Sequence, residues 1–305
     1  MKSKKHKWKR YIPFYLMAIP GVVYFFINNY MPMFGLVIAF KKLDFRKGIF
    51  KSPWSGLENF KFLFLSKDAW TITRNTLLYN LVFIILGTIL GIALAILLNE
   101  IRCRTASRFY QSVLLIPYLM SWVVVGYLTY AFLSSDTGFL NKVVLPAVGK
   151  EEVSWYTDKK FWPVILTFVS EWKGLGFTMV IYLSSIVGIS KDYYEAACID
   201  GAGKWNQIRY ITLPMLKPTV ITMTLLNIGH IFYSDFGLFY QVPRNSGMLY
   251  DVTRTIDVYV YNALMKNPDY GLASAASFYQ SIVGLVLILL ANWMVRKIDK
   301  NNALF

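Results

Sequence analysis

A handful of side chains with chemical potential stand inside otherwise apolar runs. Glu171 and Lys173 flank Trp172, and Asn227, His230, Tyr233 and Asp235 follow within nine residues of one another. A charged group at membrane depth is costly, so such residues are either paired or line a path for a polar solute. Glu171 and Lys173 are placed to neutralise one another. His230 and Tyr233, three apart, would share a helix face. Helix packing is the competing reading for each. Catalysis is not indicated. The only histidines are His6 and His230 and the only cysteines Cys103 and Cys198, too few for a metal site, and no nucleophile–base cluster stands out. Gly203-Lys204 looks like the end of a phosphate-binding loop. Cys198 stands where that motif needs glycine, however, and Trp205 where it needs serine or threonine. The chain is therefore expected to be no enzyme, to hold no cofactor, and to have no nucleotide site of its own.

The elements that must carry these residues are long and apolar. Hydrophobic residues make up 56% of the chain and charged residues 16%. Six runs are long enough to cross a hydrocarbon core, which takes about 20 helical residues. They cover about 12–40, 75–98, 109–133, 161–189, 215–240 and 270–295. Continuous runs without alternation mean helices and exclude a barrel. The expected class is an all-α integral membrane protein, with a transmembrane domain over 11–305 after a basic segment at 1–10. Its 30-residue uncharged first run is too long for a cleaved signal peptide. The net charge of +15 then needs no nucleic acid. Sixteen Lys and Arg fall on the side holding both termini, in segments shorter than those that hold fifteen on the other. Both termini are thus expected in the cytoplasm, with Lys2, Lys4, Lys5, Lys7, Lys9 and Arg10 against anionic lipid. Pro13, Pro20 and Pro32 predict a bent first helix. A short surface helix is expected in 41–74. Gly87 and Gly91 form a small-xxx-small spacing that lets another helix come close.

Between the fourth and fifth runs lies a different kind of segment. Ser190 can cap a short helix with Asp192 in its first turn, and Glu195, Ala196 and Ala197 continue it. Gly201 can take the positive φ that ends it. A second short helix then runs to Pro214. The result is a helix–glycine–helix elbow at 191–214, whose simplest reading is an amphipathic element resting on lipid.

The order of residues in the elbow adds a second reading. Glu195-Ala196-Ala197, Asp200-Gly201-Ala202 and Ile211-Thr212-Leu213-Pro214 resemble the EAA loop of binding-protein-dependent ABC importers of the maltose-transporter-like class. Cys198 departs mildly from a position that is often alanine. The segment Phe236–Asn245, the Trp293–Lys297 run and the ending Asn302-Ala303-Leu304-Phe305 are similar to the oligosaccharide branch. The resemblance implies a permease in a bacterial plasma membrane, with a cytoplasmic coupling elbow between helices 4 and 5. Its ATPase-docking residues would be Glu195, Ala196, Ala197, Asp200, Gly201, Ala202, Trp205, Leu213 and Pro214. It implies as partners a second homologous permease, two copies of a cytoplasmic ATPase that bind ATP and Mg, and an extracellular solute-binding protein. It also implies a sugar substrate. Aromatic faces, amides and carboxylates bind sugars, so Trp172, Glu171, Asn227, Tyr233 and Asp235 become pathway candidates. An importer for another solute and a secondary transporter remain alternatives; the latter should show paired broken helices with buried ion ligands.

Overall fold

The computed structural model describes residues 3–266 and 268–298, with the side chains of residues 3–10, 62–64 and 298 left aside. The basic side chains expected against lipid at the start, and the 302–305 ending, lie outside what is described. Among the described residues the chain is helical throughout, apart from one isolated bridge between Lys41 and Trp54. Five helices are long and apolar enough to cross a membrane: Tyr11–Phe40, Lys67–Asn99, Lys159–Val187, Lys204–Gly229 and Tyr270–Lys297. A sixth span would be the pair Arg104–Leu119 and Trp122–Leu133, bent by 96°. The chain divides into two compact units, Met1–Leu65 with Val260–Tyr279, and Ser66–Tyr259 with Gln280–Phe305.

In the first unit, proline changes the winding of the opening helix. It runs α to Phe25, π over Phe26–Tyr30 and 3₁₀ over Met31–Phe40. The same sequence of events occurs twice more in the chain. π-turns at Leu140–Val144 and Ile208–Thr212 each end two residues before a proline, Pro146 and Pro214, as the first does before Pro32. A proline lacks the N–H and its ring crowds the carbonyl four residues back; widening the preceding turn relieves that crowding. The 41–74 loop carries two short helices, Gly48–Lys51 and Glu58–Leu65. Lys41 is buried there, its ammonium donating to the carbonyls of Ile49 and Phe50 at 3.0 and 2.7 Å. Phe40, Phe60 and Phe278 pack edge-on or tilted, 5.2–5.8 Å apart.

The second unit is organised around the Trp162–Val187 helix. Gly87 and Gly91 do bring Lys67–Asn99 close to it. A Cβ on Gly91 would meet Thr178 Cγ2 at 2.8 Å, and one on Gly87 would meet Glu171 Oε2 at 3.4 Å. Gly176, on the same central helix, brings the Arg104–Leu119 helix so near that an added Cβ would fall 2.0 Å from Leu114 O. Two apolar clusters sit toward opposite ends of the central helix. One holds Trp162, Leu166 and Val169 with Val125, Leu238, Phe239 and Val242; the other holds Met179, Tyr182 and Ile186 with Ala95, Leu98 and Leu216.

Two expected continuous helices are broken. The 109–133 run stops at Leu119 and restarts at Trp122. Pro117 removes a donor, and Ser121 caps the new helix by accepting from Val124 N. Lys173 crosses over to the freed end, donating to Tyr118 O at 2.9 Å and lying over the Tyr118 and Trp122 rings. It therefore does not neutralise Glu171; two positions apart on a helix, the two side chains leave on different faces. The 215–240 run likewise ends at Gly229, and a separate helix begins at Phe236. Its lower end is instead continuous with the second arm of the elbow, through the π-turn before Pro214.

Candidate functional site

The broken fifth helix opens onto a cleft of about 240 Å³. Asn80, Phe83, Ile84 and Gly87 line it from one helix, at the i, i+3, i+4, i+7 spacing that makes a single face. Ser170, Glu171, Gly174 and Thr178 line it from the central helix, and Asn227, His230 and Tyr233 from the break. Residues 80–87 and 170–178 lie near the middle of their two helices, so the cleft sits at mid-depth along that helix pair. The Glu171 carboxyl and the Asn227 amide have no ion-pair partner and no side-chain hydrogen bond among the described residues. His230 is committed by one nitrogen, donating from Nδ1 to Leu226 O at 3.1 Å. Of the candidates read from sequence, Glu171, Asn227 and Tyr233 thus share one cleft, joined by His230.

Trp172 and Asp235 do not line it. Trp172 is exposed on an adjoining face. Asp235 lies beyond the fifth helix, caps the Phe236–Gln241 helix by accepting from Leu238 N, and accepts from Trp122 Nε1 at 2.8 Å. Both of its visible contacts are structural.

A break at membrane depth frees backbone groups that lipid cannot satisfy. Here side chains satisfy them. Asn80 Nδ2 donates to Ile231 O and Tyr233 O, both at 2.9 Å. Gln280 Nε2 donates to Phe232 O at 2.9 Å and to Asp257 Oδ1 at 3.1 Å. Asp257 Oδ2 accepts from Ser234 N and Ser234 Oγ, each at 2.7 Å. Sequence reasoning missed Asn80, Asp257 and Gln280. A lone amide inside an apolar run was the available signal for Asn80 and Gln280.

The elbow forms as its residues dictate. Ser190 Oγ accepts from Asp192 N at 3.3 Å, and Lys191–Ile199 is helical. Gly201 takes φ +77°, with Ala202 N bonded to Ala197 O at 2.8 Å and Gly201 N to Cys198 O at 3.1 Å. That pair of bonds is a Schellman turn. Gln207, buried beneath it, donates to Ala202 O and Cys198 Sγ at 3.1 Å each. Tyr194 and Thr212 hydroxyls meet at 2.9 Å across the two arms. Lys204 pairs with Glu100 at 3.0 Å. The bracing leaves an outward face on which Glu195, Ala196, Asp200, Leu213 and Pro214 are exposed, with Ile199 87% and Trp205 70% exposed; Ala197 and Ala202 are half-buried.

Apolar helices of spanning length, a polar cleft between them and a braced elbow mark a membrane protein with room for a polar solute. Residues 87–301 match the family of binding-protein-dependent transport system inner membrane components, and the chain belongs to it. It is 32% identical over 299 residues to protein LplB of Bacillus subtilis, covering 98% of this chain and 92% of that one. It is 32% identical over 288 residues to the polygalacturonan/rhamnogalacturonan transport system permease protein YteP of the same organism, covering 94% and 89%. Among solved structures it resembles a bacterial ABC transporter involved in import of the acidic polysaccharide alginate, with a TM-score of 0.88 and 30% identity over 98% of this chain and 100% of that one. A second structure of a bacterial alginate ABC transporter, in complex with an alginate pentasaccharide-bound periplasmic protein, matches with a TM-score of 0.87 and 30% identity over 97% and 98%. The chain is a permease of an ABC importer, located in the membrane.

Proposed function

We propose that this permease passes a carbohydrate chain, delivered by an extracellular binding protein, through a pathway it forms with a second, homologous permease. Two copies of a separate ATPase supply the energy from the cytoplasm, where both termini and the elbow would lie. The observation that carries this reading is the elbow. A Schellman turn at Gly201 and the Gln207 brace hold Glu195, Ile199 and Trp205 outward on a small-residue surface that a partner's backbone can approach. The second arm continues into the fifth helix, so motion of the elbow reaches the cleft through one continuous element. That provides the bistable element which ATP and the loaded binding protein can both bias. The cleft is the pathway candidate: Asn227 and Glu171 offer hydrogen bonds, and Tyr233 a ring face. Names of relatives that import polygalacturonan or alginate support a carbohydrate as the solute.

The test is uncoupling. Gly201→Val strains a left-handed backbone that only glycine adopts freely, and Glu195→Ala removes the fixed charge. In vesicles carrying the whole importer, each should lower uptake at least tenfold while the chain remains in the membrane. Normal uptake together with normal co-purification of the ATPase in both variants would remove the elbow from its role.

A further inference from the structure

A second pocket, of about 230 Å³, lies toward the Trp162 end of the central helix, away from the elbow. Its walls include Tyr127 and Tyr130 from the Trp122–Leu133 helix, Tyr240 and Gln241 from the end of the Phe236–Gln241 helix, and Arg244 and Asn245 from the turn after it. That turn is strained. Arg244 and Asn245 are consecutive non-glycine residues with φ of 54° and 47°, the only two among the described residues. Bonds from Arg244 N to Gln241 O and from Asn245 N to Tyr240 O hold it, and Tyr250 Oη donates to Asn245 Oδ1 at 3.0 Å. The two backbone bonds are those of a Schellman turn, closed here by Arg244 where Gly201 closes that of the elbow.

The turn sets Arg244 in the pocket wall, with its guanidinium 4.2 Å over the Tyr130 ring. No carboxylate pairs with it among the described residues, whereas Arg254, ten residues on, pairs with Asp68 at 3.1 Å. Nor does Tyr156, beside Tyr130, offer a phenolate: burial pushes its hydroxyl well above the usual tyrosine range even with Arg244 near. The Gln241 amide is likewise uncommitted among the described residues. A guanidinium over the Tyr130 ring, the Tyr127 phenol and the Gln241 amide suit a small ligand that joins a carboxylate to a polyhydroxylated ring. Guanidinium binds carboxylate through two parallel N–H donors. The space accepts about one ring, below the size of a drug-sized pocket.

We propose that the Arg244 pocket is a subsite for one carboxylate-bearing sugar ring, a uronic acid unit of the transported chain. The proposal rests on the reading of this permease as a carbohydrate importer and narrows its substrate to an acidic saccharide. It also separates two chemistries. The mid-depth cleft presents a carboxyl, Glu171, and suits hydroxyl groups; the anion is read at Arg244.

Trigalacturonate and its fully methyl-esterified form are the probes, measured by calorimetry on the purified importer in nanodiscs without the binding protein. The acid should bind, and the neutral ester at least tenfold more weakly. Arg244→Gln should erase that preference by weakening acid alone, while Arg244→Lys keeps part of it. Equal binding of acid and ester, absence of acid binding to the wild type, or unchanged acid affinity in Arg244→Gln would overturn the subsite. ATP-driven uptake of both probes, with the binding protein present, separates the two readings. Accumulation of either saccharide with no preference at Arg244 overturns the subsite and leaves the importer reading standing. Accumulation of neither overturns both.

Discussion

Two polar interactions in the second unit differ in what surrounds them, and that difference sets what each contributes. Asn80 donates to two carbonyls of the break, Ile231 O in a part-buried position and Tyr233 O at the open cleft. Asn80→Leu strands the part-buried carbonyl of Ile231, and an unsatisfied buried group costs about 1–3 kcal/mol. Thermal unfolding of the purified importer should show a clear fall in midpoint and a loss of uptake. Lys159, by contrast, pairs with Asp251 in the open, both side chains at least half exposed. The Lys159 hydrogen bond and charge hold the Asp251 carboxyl below its usual range. For a carboxyl depressed in this way, the contribution to stability is present above about pH 4 and is lost as pH falls through the lowered value. Lys159→Ala should change stability by less than about 1 kcal/mol near neutrality, because exposed pairs are screened. Equal effects of the two substitutions would contradict this ordering.

At the scale of elements, glycine decides which helices touch. Gly174 and Gly176 stand two residues apart on the central helix. A Cβ at Gly174 meets nothing within 4 Å, while at Gly176 it would strike the backbone of Leu114 at 2.0 Å. Gly174→Ala should be neutral or slightly stabilising, from better helix propensity. Gly176→Ala should force the Arg104–Leu119 helix outward and cost about 1–3 kcal/mol or more. Midpoints of thermal unfolding moving together would contradict the packing. Features that depend on near neighbours in the chain were legible in sequence. The Ser190 cap and the Gly201 turn are set by a few adjacent residues, and Gly87 and Gly91 by spacing alone. The two helix breaks were not legible. The polar residues at 121, 230, 234 and 235 do not by themselves say that a helix stops, and the groups that make the breaks tolerable come from afar: Lys173 at Tyr118, and Asn80, Gln280 and Asp257 at 231–234. The helix cap at Asp235 is hidden for the same reason, because the helix that it caps starts only where the break ends.

At the scale of the whole molecule, two features of the chain bear on the proposed partners. Its cleft holds the Glu171 carboxyl and the Asn227 amide, and its elbow presents Ile199 and Trp205 outward. Long exposed apolar faces, such as that of Tyr11–Phe40, fit a chain surrounded by lipid and protein. The central claim is that the elbow faces the cytoplasm and seats an ATPase, and the chain holds its own reporter. Cys198 is exposed on the elbow, and Cys103 is the only other cysteine. In a Cys103→Ser chain, a membrane-impermeant maleimide should label Cys198 in inside-out vesicles and not in intact cells, and the assembled ATPase should slow that labelling at least tenfold. Labelling from outside intact cells, or labelling indifferent to the ATPase, would contradict the account.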